Sequence, residues 1–311
     1  MLRGWILAAF VVLVWGVTFV NTKALLADFS PLEIQVLRFA VAYVALWAIH
    51  PRRGRIPLKE EWLFAAMGLT GVAVYQLLEN CAIHFTNASN VSILVSTCPV
   101  VTGVFSWLLG REKRLSPLFF LGFAIAMAGV VMVSLNGIQA FHFRPLGDLM
   151  ALTAMLSWST YSVLVSKSVE KGYSQALVIR RMFFWTLVYM LPLVALGVTP
   201  SGRTLLDGSF AVTLDWSVNV RRFSSSLNHV NLAFLGFLAS AACFVAWNKA
   251  CAAVGIVRCT VALYLLPAIT VLFAFTFLGE RLTAVSACGA VLALVGVVVA
   301  NSRGKGASHG E

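Results

Sequence analysis

Charge is what this sequence has least of: Asp, Glu, Lys and Arg make up 11% of its 311 residues, against roughly a quarter in ordinary soluble domains. A water-soluble surface cannot be assembled from so few ionic side chains. Acidic residues are the scarcer sign, 12 against 23 basic ones, for a formal net charge of +11. The sequence also lacks a phosphate-binding Gly-rich loop and a dinucleotide fingerprint, so direct coupling to ATP and a bound cofactor are not expected. The six cysteines (Cys81, Cys98, Cys243, Cys251, Cys259 and Cys288) include no C-x-x-C pair and have no histidine at metal spacing, and they read as small buried hydrophobes rather than a metal centre.

In place of charge stand hydrophobic residues, 60% of the chain, with a mean hydropathy of +0.88. They are gathered into runs long enough to cross a ~30 Å hydrocarbon core. Bounded by charges, Pro and Gly, ten spans are expected at 4–23, 31–49, 62–84, 90–109, 115–135, 147–167, 176–198, 229–252, 258–278 and 282–301. The first run resembles a signal peptide in composition, but no small-residue cleavage motif follows it and it has a counterpart later in the chain, so it is read as the first helix. The basic residues sit between the runs, which points to anionic lipid and away from nucleic acid as their partner.

Orientation follows from the distribution of Lys and Arg, leaving out the long loop 199–228 because long loops obey the rule poorly. With the N-terminus inside, one side holds Arg3, Arg52, Arg53, Arg55, Lys59, Arg111, Lys113, Arg114, Lys167, Lys171, Arg258, Arg303 and Lys305, and the other only Lys23, Arg144 and Arg281. A multi-pass protein of the cell (inner) membrane with both termini cytoplasmic is expected.

The chain also matches itself. At an offset of 168, Gly68, Asn80, Pro99, Thr102 and Glu112 fall on Gly236, Asn248, Pro267, Thr270 and Glu280, and at 143 Trp15 and Arg38 fall on Trp158 and Arg181. Asn, Pro, Glu, Trp and Arg are scarce inside these runs, so their coincidence carries weight that matched Val or Leu would not. Each half has an odd number of spans, so the second enters the bilayer from the opposite face. The expected fold is an all-α membrane protein of ten transmembrane helices arranged as two inverted five-helix repeats, 1–136 and 147–301, with the long loop 199–228 in the second and a cytoplasmic tail at 302–311.

The paired prolines, followed by Leu109-Gly110-Arg111-Glu112 with Leu115-Ser116 and by Leu278-Gly279-Glu280-Arg281 with Leu282-Thr283, resemble the EamA-type transporters of the drug/metabolite transporter superfamily. The resemblance covers about 4–135 and 147–301. It implies an exporter-like fold with a central cavity lined by helices one, three, four, six, eight and nine, taking a small-molecule substrate within the lipid bilayer. An extra residue in Arg111-Glu112-Lys113-Arg114 and the long loop 199–228 depart from the pattern.

Ionisable groups inside the spans are the first candidates for function, because each costs ~2.5–3.5 kcal/mol on insertion scales and needs a partner or water. Glu79 is the one carboxylate deep in a span, and it lies at a depth similar to that of Arg38. Two readings stand: a structural Glu79–Arg38 ion pair, or a proton or substrate-ammonium site at Glu79. In the second half Arg181 takes the place of Arg38 while Trp247 takes that of Glu79, leaving Arg181 with no carboxylate inside the membrane. Arg180 and Arg181 either snorkel to the cytoplasmic surface or, like Lys249, meet a substrate carboxylate.

Trp15, Thr18, Tyr75, Gln76, Glu79, Asn80, Trp158, Tyr161, Asn248 and Tyr264 are expected to line the cavity, since aromatic walls with a few amides and hydroxyls suit a small amphipathic solute. Pro99 and Pro267 remove a backbone donor and free a carbonyl, and are expected to mark matching hinges. Gly122, Ala126 and Gly129, with Gly289, Ala293 and Gly296, put small residues on one face of helices five and ten as a close-packing stripe. Glu112 and Glu280 read as solvated ends of helices four and nine, and Asn87-Ala88-Ser89 is a glycosylation sequon of little weight. The function expected is secondary export of a small metabolite such as an amino acid. A nucleotide-sugar or sugar-phosphate carrier would need more converging cations, and an intramembrane enzyme a clustered acid–base set, for which His84 and Glu79 fall on different helix faces. Monomer and homodimer remain open.

Overall fold

The computed structural model describes residues 1–25, 28–51, 56–85, 91, 94–110, 115–134, 145–196, 198–200, 212–214, 220–278 and 283–302. Ten helical rods account for nearly all of them. They are α1 (Leu2–Leu25), α2 (Pro31–Ile49), α3 (Glu61–Gly68, continued by Leu69–Val74 and Tyr75–Phe85), α4 (Cys98–Leu108), α5 (Pro117–Ser134), α6 (Pro145–Glu170), α7 (Gln175–Ala195), α8 (Ser226–Ala233, then Phe234–Ala242 and Cys243–Val254), α9 (Ile256–Val261, Ala262–Leu265 and Leu266–Leu278) and α10 (Ala284–Asn301). Five stretches are long and apolar enough to cross a bilayer: Leu32–Ile49, Leu58–Glu79, Leu146–Glu170, Gln175–Ala195 and Ser226–Val254. Shorter apolar helices occupy the other five rods. Ile6, Leu13, Val44, Leu191, Val291 and Val298 are exposed, a lipid-compatible surface that water would penalise.

Local chemistry sets several of the ends. Ser30 caps α2 reciprocally with Glu33: its hydroxyl accepts from the Glu33 amide at 3.3 Å, and its own amide donates to Glu33 Oε2 at 2.8 Å, satisfying two donors a helix start leaves open. α8 passes into α9 through the single residue Gly255, whose φ of +97° is open to glycine at little cost. In the long loop, Val198–Pro200 pairs antiparallel with Val212–Leu214, and a short 3₁₀ turn over Val220–Ser224 leads into α8.

Two features depart from uniform helices. α3 and α8 each contain a π-helical stretch, Leu69–Val74 and Phe234–Ala242, each just after or around the matched glycines Gly68 and Gly236. π-turns are frequent at functional sites and leave no sequence signature beyond that glycine. The prolines also differ from the expected position deep inside a helix. A turn at Ser96–Thr97 precedes Cys98, so Pro99 occupies the first turn of α4, and Pro267 likewise follows the 3₁₀ stretch Ala262–Leu265 as second residue of Leu266–Leu278. There the missing amide is one a helix start leaves unpaired anyway.

The small-residue stripe is where α5 and α10 meet. A Cβ at Gly289 would stand 2.7 Å from the Gly129 carbonyl oxygen, and one at Gly129 would stand 2.5 Å from the Gly289 oxygen and 3.0 Å from Ala293 Cα. Gly122 faces Ala300 and Gly296 faces Ala126, so the helices run antiparallel with backbones in direct contact. Of the cysteines, five are buried and Cys288 is exposed on α10, because it lies on the face turned away from this seam.

Candidate functional site

The middle of the bundle is a cluster of aromatic rings contributed by α1, α2, α3, α6, α7 and α8. Trp15 packs edge-on to Trp158 (centroids 5.6 Å apart) and Phe244 (5.5 Å) and lies against Trp247 (5.3 Å). Trp158 in turn contacts Tyr75 at 4.9 Å and Tyr161 at 5.0 Å, while Phe39, Phe183 and Phe244 close the α2–α7 side. Such edge-on pairs are favoured by ring quadrupoles. Trp15, Trp158, Tyr161, Phe244 and Trp247 are each at most 9% exposed. The open central cavity expected from sequence is therefore filled by these side chains.

Polar groups thread the cluster. Trp15 Nε1 donates to the Ala239 carbonyl at 2.9 Å, and Tyr161 Oη donates to Asn248 Oδ1 at 3.0 Å. Trp158 Nε1, Trp247 Nε1, Asn248 Nδ2 and Tyr264 Oη are buried without a hydrogen-bond partner among the described residues. The first three are held in or beside the cluster, whereas Tyr264 packs against Phe123 at 6.3 Å. Thr18 turns its hydroxyl to the Trp15 carbonyl of its own helix at 2.6 Å, and Gln76 is half-buried on α3. The Asn80 side chain lies outside the described residues, as do the His84 side chain, Glu112, Glu280, the 87–89 sequon and most of the tail.

The EamA-like transporter family matches this chain twice, over residues 2–135 and 145–302. The chain belongs to the EamA-like transporter family. A protein of Escherichia coli (strain K12) named "Probable amino-acid metabolite efflux pump" is 25% identical over 295 residues, covering 94% of this chain and 93% of that one. A "Probable terminal-alkyne amino-acid exporter" of Streptantibioticus cattleyicolor is 26% identical over 297 residues, 94% and 91% of the two chains. An "Uncharacterized transporter" of Archaeoglobus fulgidus is 24% identical over 303 residues, 96% and 97%. A solved crystal structure at 18% identity superposes with a TM-score of 0.74 over 96% of each chain, which fixes the fold. This EamA-like chain is a multi-pass membrane transporter.

Within the EamA-like frame the charged residues are placed differently from the sequence reading. Arg38 and Glu79 make no direct ion pair among the described contacts. Arg38 Nε donates to Ser240 Oγ at 2.5 Å, with the guanidinium 5.3 Å from the Phe39 ring centroid, and Glu79 Oε1 accepts from Tyr75 Oη at 2.8 Å. The two charges stay within electrostatic reach of each other. Ser240 escaped notice because a lone serine in an apolar run carries no periodic signal.

Arg181 does have a carboxylate. Its Nη1 lies 2.9 Å from Glu61 Oε1 at the start of α3, and Trp185 Nε1 donates to the other Glu61 oxygen at 3.1 Å. Arg180 donates to the His50 carbonyl at 2.5 Å and stacks 3.9 Å over Trp47. Lys171 and Tyr173 both bond Glu60, at 2.7 and 2.6 Å, and that carboxylate pushes the Tyr173 phenol above the usual tyrosine range. Lys249 is exposed on α8 and faces away from the aromatic cluster. Because Arg181 is 37% exposed, its pair is worth about 0–1 kcal/mol. Arg181→Gln is expected to shift the thermal unfolding midpoint in detergent by no more than about 2–4 °C.

At the opposite end of the bundle, Arg222 forms a two-pronged bond to Glu33 at 2.6 and 3.0 Å and lies 4.8 Å over Phe29. Asn228 bridges Asp28 at 2.7 Å and the Arg222 carbonyl at 2.9 Å, and Asn21 donates to Asn231 at 2.9 Å. The long loop thus ends in a polar latch onto the α1–α2 connection. The charge count along the sequence left the loop 199–228 aside, so it gave Arg222 no role.

Proposed function

We propose that this EamA-like chain is a secondary transporter that exports a small amino-acid-like solute by exposing the aromatic cluster alternately to the two sides of the membrane. The observation carrying this reading is the set of buried donors without partners among the described residues, Trp158 Nε1, Trp247 Nε1 and Asn248 Nδ2. Within a bilayer an unsatisfied polar group costs several kcal/mol, so a purely structural core would select apolar side chains here. A solute with acceptor groups and an apolar body satisfies both the donors and the ring faces. The names of the Escherichia coli and Streptantibioticus relatives point the same way.

In this reading Trp15, Tyr75, Gln76, Glu79, Asn80, Trp158, Tyr161 and Asn248 meet the solute, while Thr18 and Tyr264 shape its surroundings. Pro99 at the start of α4 and Pro267 at the start of the Leu266–Leu278 stretch of α9 let these segments turn against the chain that precedes them, and the family matches 2–135 and 145–302 are inverted repeats. The antiparallel α5–α10 seam and the paired π-stretches of α3 and α8 support that symmetry. The surplus of basic residues on one side supports cytoplasmic termini in the inner membrane.

Proteoliposomes loaded with single amino acids, polyamines or sugars, with and without a proton gradient, test this reading. Efflux of at least one amino acid is expected, and no movement of any solute in any condition overturns it. Asn248→Leu removes an orphan donor and the acceptor of Tyr161 together. It is expected to cut transport about tenfold or more while leaving the chromatographic profile unchanged, since an unpaired buried partner costs about 1–3 kcal/mol.

A further inference from the structure

We propose that Arg38 and Glu79 form a clamp for a zwitterion, with Arg38 taking the carboxylate and Glu79 the ammonium of one α-amino acid. The inference rests on the transporter reading above and names the substrate class of the same site. Other charges of the bundle are satisfied from the protein: Glu33 by Arg222, Glu60 by Lys171, Glu61 by Arg181. Arg38 and Glu79 are each satisfied only in part. Ser240 occupies the Arg38 Nε and Tyr75 occupies Glu79 Oε1, which leaves the guanidinium's terminal nitrogens and the second carboxylate oxygen without partners among the described contacts.

The two groups also lie within electrostatic reach of each other and of Tyr75. Ser240 neighbours Ala239, whose carbonyl holds Trp15, and Trp15 leads through Trp158 to Tyr75, which holds Glu79. Both charges are thus tied, each through one hydrogen-bonded neighbour, to the rim of the aromatic cluster. Opposite charges in a bilayer gain by closing on each other, yet their nitrogens and oxygens stay beyond ion-pair distance. Each is instead held by a neutral hydroxyl, which orients it without neutralising it. A guanidinium offers a parallel fork that matches a carboxylate, and a carboxylate accepts from an ammonium at about 2.7–2.9 Å. An α-amino acid carries both groups on one carbon and can bridge such a gap, its side chain lying on Tyr75, Trp158 and Trp15. A lone cation or a lone anion would satisfy one charge and leave the other exposed to low dielectric.

The test uses the full chain in proteoliposomes, with tritiated L-phenylalanine as probe and counterflow as readout. L-Phenylalanine amide lacks the carboxylate and N-acetyl-L-phenylalanine lacks the ammonium; each is expected to compete about tenfold more weakly than L-phenylalanine. In Glu79→Gln the half-saturation for L-phenylalanine is expected to rise about tenfold, while the weak competition by the N-acetyl compound stays as it was. In Arg38→Gln the amide is the compound left unaffected. Arg38→Lys keeps the charge but loses the fork, and serves if Arg38→Gln fails to give monodisperse protein. Equal competition by all three compounds, or half-saturation within about twofold of wild type in both Glu79→Gln and the Arg38 variant, overturns the clamp while leaving export of amino acids standing. If wild type moves no amino acid, the export of amino acids proposed above fails. Quenching of tryptophan fluorescence by L-phenylalanine, with the same variants and derivatives, then decides the clamp by binding alone: the same order of affinities supports it, and no difference between them overturns it.

Discussion

Arg222→Glu is expected to lower the thermal unfolding midpoint of the protein in detergent by about 5 °C or more. The guanidinium is only 11% exposed, and it bonds both oxygens of Glu33, itself 33% exposed. Such a fork is among the stronger polar contacts a protein makes, and hydrogen bonds to charged groups contribute about 1.5–3 kcal/mol. Reversal also sets a new carboxylate against Glu33 and Asp28 and removes the cation stacked on Phe29. The exchange Glu33→Arg with Arg222→Glu is expected to recover most, but not all, of the loss. Glu33 also closes the cap of α2 through the Ser30 amide, and losing a cap costs about 1 kcal/mol. Glu33→Gln separates the two roles, since glutamine can keep the cap but not the charge. A midpoint unmoved by Arg222→Glu would show that the latch contributes nothing to stability.

Gly129→Leu is expected to abolish recovery of monodisperse protein. At Gly129 the first carbon of any side chain meets the Gly289 oxygen and the Ala293 backbone, and backbone cannot move aside as a flexible side chain would. Gly129→Ala already requires α5 and α10 to separate, and overpacking of this kind costs about 1–3 kcal/mol, read as a lower unfolding midpoint. Leu121→Ala provides the control, because Leu121 is 52% exposed on the same helix and its change is expected to stay within about 0.5 kcal/mol. Equal behaviour of Gly129→Ala and Leu121→Ala would mean that the seam tolerates a wider spacing.

The sequence made the rods legible because apolar runs of helix length leave few alternatives in a chain this poor in charge. The Gly122–Ala126–Gly129 stripe could be read for the same reason, since spacing on a helix face is a local property. The partners of the charges could not be read. Arg38 finds Ser240, Arg181 finds Glu61 and Arg222 finds Glu33, across separations of 202, 120 and 189 residues, and none of these choices follows from periodicity. Phe39, Phe183 and Phe244 were hidden by abundance: the chain has 22 phenylalanines, and position along a helix does not say which of them reach the middle. The π-stretches were hidden because an extra residue in one turn changes which face follows it without changing composition.

The α5–α10 seam also limits how the molecule can change shape. Two helices whose backbones touch at successive glycines cannot slide past each other without collision, whereas α1, α3, α6 and α8 meet through side-chain rings. The seam is therefore the natural fulcrum. Under the alternating exposure proposed above, opening at the Glu33–Arg222 end would swing about it like a lever and tighten the Glu61–Arg181 end, so that both mouths need never be open together.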